Sequence, residues 1–168
     1  MPNSEGIDVY GTAAVSNPRS AYDKIKKVMQ EIKRYGFSRS RPFSVGAVEK
    51  RMKDYAKEKN ITIASGNLYL SAQSIAHARR EGKVSARIAV SEKSLMEFPR
   101  KRSHMRLFYD KEKKTFVYVD GRNKFVIHPD YNLKFGKERK DRVVFVTASK
   151  LSSMDEFNMK KYDEIKRR

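Results

Sequence analysis

The residues from Met105 to Pro129 constrain the fold more strongly than any other part of the chain, because they hold three short strand-like runs separated by two polar loops. Val, Ile, Phe, Tyr and Thr, which suit a pleated surface, dominate the runs MRLFY, TFVYV and KFVIH. Asp120-Gly121 is a strong turn signal, since Gly tolerates a positive φ. The segment predicts an antiparallel meander of three strands.

A loop from Asp120 to Asn123 would set the register of the last two strands of this meander. It predicts the cross-strand pairs Thr115 with His128, Phe116 with Ile127, Val117 with Val126, and Tyr118 with Phe125. A two-residue turn at Asp120-Gly121 would instead shift every pair. The central run is apolar on both faces, which predicts helices over one side and another layer or a ligand over the other.

A fourth strand is expected in the β-branched run RVVFVTAS, which is typical of a buried strand. A helix from Ser71 to Gly82 precedes the meander and is expected to pack on one face of the sheet. The predicted fold class is therefore α+β, with an antiparallel meander sheet of about four strands. Their expected bounds are Met105 to Tyr109, Thr115 to Val119, Lys124 to His128, and Arg142 to Thr147.

The first sixty residues are expected to lie outside this sheet. Met1 to Pro18 contain Gly, Ser, Asn and Pro, which predicts a flexible lead-in. Amphipathic patterns predict an N-terminal helical pair, from Ser20 to Tyr35 and from Ser44 to Lys59. Residues 1–60 would thus form an extension, and residues 61–168 an α+β domain that ends in a helix after Ser153.

Charge points to a polyanionic partner. The chain carries 38 Lys and Arg against 20 Asp and Glu, which gives a formal net charge of +18. The alternative is a soluble protein with Lys-rich faces. Nucleic-acid binding is predicted for the residues of the densest basic run and for one helical arginine: Arg100, Lys101, Arg102, Arg106 and Arg79.

Several classes of protein and chemistry are disfavoured. There is no apolar segment of about 20 residues and no run that resembles a signal peptide, so we expect a cytoplasmic site of action and no membrane partner. The chain has no Cys, and the three His residues lack carboxylates at ligand spacing. Nucleotide-binding glycine motifs are also missing. We therefore expect no metal and no cofactor.

Metal-free RNA cleavage fits the residues that remain. In that reaction the 2′-hydroxyl of the RNA attacks the adjacent phosphorus, so the protein has only to move protons and to stabilise charge on the phosphate. His77 shares a helical face with Arg80 and Glu81, which suits a general acid or base with an orienting partner. A solvent-exposed His without a function is the alternative.

The segments LYLSAQSIAHARREGK and RVVFVTASKL, with the meander between them, resemble the phage and mobile-element branch of the barnase/EndoU/colicin-type/RelE-like (BECR) ribonuclease toxins. The resemblance covers about Ile61 to Ile165. It implies that His77 and Arg80 are catalytic, and that residues at the end of the last strand contact the scissile phosphate: Thr147, Ser149 or Lys150. It implies an RNA substrate, with tRNA, rRNA and mRNA not distinguished, and an acidic immunity or antitoxin protein as a possible partner.

Tyr118 is a further candidate, because it projects from the central strand and could stack on a base or donate a proton. A tyrosine of the core is the alternative. The sequence thus favours a toxin-like endoribonuclease. Two other functions stay open: a non-catalytic nucleic-acid-binding protein of a phage or plasmid, and a basic protein that binds an acidic protein partner.

Overall fold

The computed structural model describes residues 18–167. The flexible lead-in expected up to Pro18 lies outside these residues, except for Pro18 itself, which begins the first helix.

Within the described chain there are five α-helices and seven strands. The helices are α1 (Pro18–Tyr35), α2 (Lys50–Glu58), α3 (Ala72–Ala78), α4 (Glu81–Ser85) and α5 (Glu92–Lys101). The strands are β1 (Phe43–Ala47), β2 (Asn67–Leu70), β3 (Arg106–Asp110), β4 (Thr115–Asp120), β5 (Asn123–Phe135), β6 (Glu138–Lys150) and β7 (Tyr162–Ile165). Two 3-10 helices are Arg102–His104 and Met154–Asn158.

All seven strands form one mixed sheet in the order β1-β2-β6-β5-β4-β3-β7. Strands β2 and β6 are parallel, and every other neighbouring pair is antiparallel. The expected sheet of about four antiparallel strands is therefore wrong. The four expected segments correspond to β3–β6, but β1 and β2 extend this group on one side and β7 on the other. These three added strands have only four or five residues each, too few for a clear period-2 pattern.

The pairing between β4 and β5 agrees with the sequence. Phe116 lies opposite Ile127, Val117 opposite Val126, and Tyr118 opposite Phe125, so these three predicted pairs are confirmed. The ladder ends at Phe116–Ile127, one pair short of the expected Thr115–His128. The turn residues are Gly121 and Arg122, and Gly121 has a φ of +59°. A short local hairpin with a glycine at its turn leaves little freedom in register.

Of the expected N-terminal helical pair, the first helix is confirmed as α1, which spans Pro18–Tyr35, but the second is wrong. Ser44 pairs with Tyr69 in the β1–β2 ladder, so the second expected helix is divided into a strand and the shorter helix α2. Helix α1 packs against α5 and α3, and it places Ala21 and Ile25 in the main core. The N-terminal elements thus complete the sheet and its hydrophobic core.

The main core lies between the sheet and the helices α1, α3 and α5. Phe98 of α5 is at its centre, with ring centroids 4.7 Å from Phe125, 5.6 Å from Tyr118 and 5.9 Å from Phe145. The opposite face is covered where Phe157 stacks on Phe108 at 4.5 Å. Phe157 belongs to a 3-10 helix that leads into β7, where the sequence predicted a terminal α-helix.

Candidate active site

The last residues of β6 extend beyond the neighbouring strand β2. Residues Leu68 and Tyr69 of β2 pair with β6, but β2 ends at Leu70 and β6 continues to Lys150. Because the polar groups of an uncovered strand edge need partners, the following helices take the place of β2. The backbone N–H of Lys150 donates to the carbonyl of Ile88 at 2.6 Å.

Lys83 of α4 also binds the end of β6 that β2 leaves uncovered. Its ammonium group donates to Thr147 Oγ1 at 2.6 Å and to the carbonyl oxygen of Ala148 at 2.9 Å. The residue is only 7% exposed. Burial, followed by the nearby charges of Arg80 and Lys124, lowers the pKa of Lys83. This side chain joins α4 to the end of β6.

His77 lies on the exposed side of α3. Ser71 caps this helix by accepting a hydrogen bond from the N–H of Ser74 at 3.1 Å, while Ile75 and Ala78 are buried. The expected continuous helix from Ser71 to Gly82 is wrong, because α3 ends at Ala78 and α4 begins at Glu81. The imidazole has no hydrogen-bond partner among the described residues.

Arg80 stands between the two helices, as the N-cap of α4. Its guanidinium group folds over Gly82, so that a Cβ at Gly82 would lie 2.9 Å from Arg80 Nη1. The short glycine thereby leaves room for the guanidinium group beside the start of α4. The Arg80 side chain has neither a hydrogen bond nor an ion pair within the described chain.

The surroundings of His77 favour the neutral form of its imidazole. Partial burial lowers the pKa of His77 below its ordinary value of about 6.5, and the charges of Lys83 and Arg80 lower it further. At neutral pH the ring is therefore ready to accept a proton, which is the state that a general base requires.

His77 faces a groove of about 800 Å³. Three parts of the chain form it: the loop before β1, the exposed side of α3, and the β5–β6 hairpin. The cationic lining residues are Arg39, Arg41, Lys134 and Arg139, and the polar ones include Ser71, Gln73 and Ser74. None of the described residues that line the groove is an Asp or a Glu.

The β5–β6 hairpin brings two cations of this groove into direct opposition. Lys134 pairs with Arg139 across the ladder, and Lys134 has no ion-pair partner within residues 18–167. Like charges that face each other across a sheet are destabilising. A bound anion would relieve this repulsion, so the pair is better suited to binding than to stability.

The loop before β1 is fixed in place as the opposite wall. Ser38 donates to Glu31 at 2.6 Å, and Ser40 donates to the same carboxylate at 3.4 Å. The Arg41 guanidinium group packs on Gly136. A Cβ atom at Gly136 would lie 3.2 Å from Arg41 Cζ. The loop therefore contacts the hairpin turn, and the two walls close one end of the groove.

Both irregularities of the β5–β6 ladder lie next to the groove. One is at Val146, the extra residue between the pairs Ile127–Phe145 and Val126–Thr147, and Val146 itself lines the groove. The other lies between His128 and Tyr131 on β5. Bulges redirect side chains and are frequent beside active sites. Here they turn Val146 and Tyr131 toward the groove.

The structure brings some of the predicted catalytic residues together and leaves others apart. Of the five predicted catalytic residues only His77 lines the groove; Arg80 and Lys83 lie near enough to lower its pKa, and Lys83 donates to Thr147, which lies outside the groove lining. Lys150 is exposed at the end of β6, outside the groove lining. Tyr118 is fully buried in the core, where its hydroxyl donates to Glu49 at 2.6 Å and burial raises its pKa. Because a fully buried hydroxyl cannot contact a substrate, Tyr118 does not belong to this site.

The predicted nucleic-acid-binding residues lie elsewhere. Arg100 and Lys101 both pair with Glu97, at 2.8 and 3.1 Å, and Arg106 pairs with Glu164 at 2.9 Å. The two other residues bind the backbone: the buried Arg102 donates to the carbonyl of Ala47, and Arg79 donates to the carbonyl of Val90. None of the five lines the groove at His77. Their role in binding phosphates stays a prediction.

Five cations of the site were not predicted from the sequence: Lys83, Arg39, Arg41, Lys134 and Arg139. The expected third and fourth strands leave out the segment NLKFGKERKD between them, although the alternation of Leu133 and Phe135 with polar neighbours is a strand signal around Gly136. Lys83 gives no comparable signal, because its contact with Thr147 joins residues 64 positions apart.

Comparisons of the chain with protein-family models, with curated proteins and with solved structures found no match. Among the described residues, no three His, Asp or Glu side chains are grouped so that they could hold a metal ion. No helix in the same part of the chain has the length and apolar character needed to cross a membrane.

Proposed function

We propose that the protein is an endoribonuclease that cleaves RNA without a metal ion, by attack of the 2′-hydroxyl on the adjacent phosphorus. The observation that carries this proposal is the position of a neutral imidazole, His77, in a groove whose charged lining residues are all cationic. Cations bind the phosphate backbone, and a neutral imidazole can take the proton of the attacking hydroxyl.

His77 would act as the general base. It accepts the 2′-hydroxyl proton, the 2′-oxygen forms a bond to phosphorus, and the bond from phosphorus to the 5′-oxygen breaks. The departing 5′-oxygen takes a proton from solvent water, and the imidazolium ion then returns its proton to solvent. The products are a 2′,3′-cyclic phosphate and a free 5′-hydroxyl.

Arg80 would stabilise the negative charge that develops on the phosphate during this reaction. Its guanidinium group has no partner within the described chain and is close enough to His77 to lower the pKa of the imidazole. A planar guanidinium group suits the oxygens of a phosphate. Thr147, held by Lys83, is expected to position the phosphate next to the imidazole.

Incubation of the purified protein with total RNA tests the proposal directly. We expect fragments that end in 2′,3′-cyclic phosphates, formed equally well with and without EDTA, because protons and charge are handled by side chains alone. DNA of the same sequence should remain intact, since it has no 2′-hydroxyl to attack the phosphorus. Mass spectrometry of the termini gives the measurement. Intact RNA, or cleavage that EDTA abolishes, would contradict the proposal.

Lys83 offers a second test, through the pH dependence of cleavage. In the parent protein kcat/KM should fall as the pH drops through the pKa of His77, below about 6.5, because the protonated ring cannot act as a base. Lys83→Met removes one of the charges that lower this pKa, so the acid limb should move to higher pH. The Lys93→Met variant, at an exposed position of α5, is the matched control and should leave the acid limb of the pH profile unchanged.

Titration of the His77 ring protons by NMR gives the same information without any activity. The signal is assigned from its loss in His77→Ala. An unchanged pKa in a folded Lys83→Met protein would show that Lys83 does not tune His77.

The groove also suits the second candidate function, a nucleic-acid-binding protein without catalysis, because the opposed pair Lys134 and Arg139 favours an anion whether or not a bond is broken. If the protein binds RNA but does not cleave it, nucleic-acid binding without catalysis would replace the ribonuclease function.

A further inference from the structure

Tyr131 is the exposed aromatic side chain among the groove-lining residues. It is 42% exposed, whereas the phenylalanine rings of the β5–β6 hairpin, Phe125, Phe135 and Phe145, are buried. An exposed tyrosine ring offers a flat face on which a nucleobase can stack.

The backbone holds this ring in place. Tyr131 follows the irregularity that begins at His128, where β5 has two residues, Pro129 and Asp130, without partners in the ladder. The His128 ring packs edge-on against Tyr131, with centroids 5.6 Å apart and an angle of 72° between the planes. His128 is itself fixed, because its Nδ1 accepts a hydrogen bond from the N–H of Asp130 at 3.2 Å. One face of Tyr131 is thus presented to the groove by a preorganised bulge.

Cations line the same groove. Lys134 and Arg139 oppose each other on the same hairpin, further toward the turn, and Arg41 of the loop before β1 packs on Gly136. A ring for a base with cations for the neighbouring phosphates is the arrangement by which proteins bind single-stranded nucleic acids. Bases that are paired in a duplex are stacked on one another and cannot offer a face to the ring.

We infer that the groove binds single-stranded RNA, with one unstacked base on Tyr131 and the adjoining phosphates on Lys134 and Arg139. The choice of RNA rests on the proposed ribonuclease function, whereas the stacking site does not. The groove would then select unpaired segments and would exclude duplex RNA from His77.

Binding measurements on the non-cleaving His77→Ala protein test this inference. Fluorescence anisotropy with a labelled RNA oligonucleotide gives Kd for the single strand and for the same strand annealed to its complement. We expect the single strand to bind more tightly. Tyr131→Ala in this background should weaken binding of the single strand by roughly 5- to 100-fold, as expected for one lost base stack, and Tyr131→Phe should retain it.

Three controls separate stacking from charge. An RNA strand with abasic sites should bind equally well to the proteins with and without the Tyr131→Ala substitution, because it has no base to stack. The salt dependence of Kd should be the same in both, since no phosphate contact is lost, whereas Lys134→Gln should reduce the slope by about one. Tyr35→Ala, which removes a ring that is 60% exposed outside the groove lining, should change nothing.

Equal affinity for single strand and duplex, or an unchanged Kd in Tyr131→Ala, would overturn the inference. The two proposals fail separately. Stacking-dependent binding by a parent protein that leaves RNA intact would refute the ribonuclease function alone, and rapid cleavage by a Tyr131→Ala protein with unchanged Kd would refute the stacking site alone.

Discussion

Replacing His77 by Ala is expected to slow RNA cleavage by about two to four orders of magnitude, the contribution of a positioned general base. The imidazole makes no hydrogen bond that supports the fold, and the residue lies on the exposed side of α3. The substitution should therefore leave the melting temperature and the affinity for RNA nearly unchanged. Initial rates of cleavage of a labelled oligonucleotide give the measurement.

His104→Ala is the matched control, because it removes another imidazole, in the 3-10 helix after α5 and outside the groove. It should cleave at the parental rate. A His77→Ala protein that is as fast as the parent would end the catalytic assignment, and a loss shared by both variants would point to a general effect of removing histidine.

Reversing the charge of the opposed pair, with Lys134→Glu and Arg139→Glu together, is expected to weaken RNA binding by roughly 100-fold at low salt. Two phosphate-binding cations would be lost, and two carboxylates would repel the backbone. Because Lys134 and Arg139 already repel each other across the ladder, two glutamates should cost the hairpin little stability. Anisotropy titrations at several salt concentrations give the affinity and its slope.

The double variant Arg100→Glu and Lys101→Glu makes the same change in formal charge on the exposed side of α5. It should reduce affinity only a few-fold, through a screened long-range effect. A loss as large as that of the groove variant would instead support the prediction made from the basic run of the sequence. The pair of variants thus decides which cationic surface holds the RNA.

The parts of the fold that the sequence predicted correctly are local. The β4–β5 hairpin has its partners close in sequence and a glycine at its turn, so the position of the turn determines that Tyr118 pairs with Phe125. Lys83 donates to Thr147 and lies near enough to His77 to lower its pKa, but a shared site of His77 and Thr147 stays a prediction.

The incorrect parts depend on contacts that sequence spacing does not encode. Val45, Val48, Met52 and Tyr55 follow helical spacing, yet Val45 lies in β1, because the neighbouring β2 offers it a strand to pair with. Strand β7 has three partly exposed residues out of four and no apolar alternation, so its position beside β3 could not be predicted. The groove could not be predicted either, because its walls come from three separate parts of the chain.

The parallel pairing of β2 with β6 has a consequence for the order of folding. The meander β3–β5 can form from neighbouring residues, whereas Lys83 and Thr147 meet only after the long stretch of chain between them, a separation of 64 positions, has been placed. Contacts that span long stretches of chain form late, so Lys83 meets Thr147, and His77 meets the β5–β6 side of its groove, only when β6 has docked against β2. If the proposed function is correct, a nascent or partly unfolded chain could contain an intact hairpin and still not cleave RNA, because the groove exists only in the finished topology.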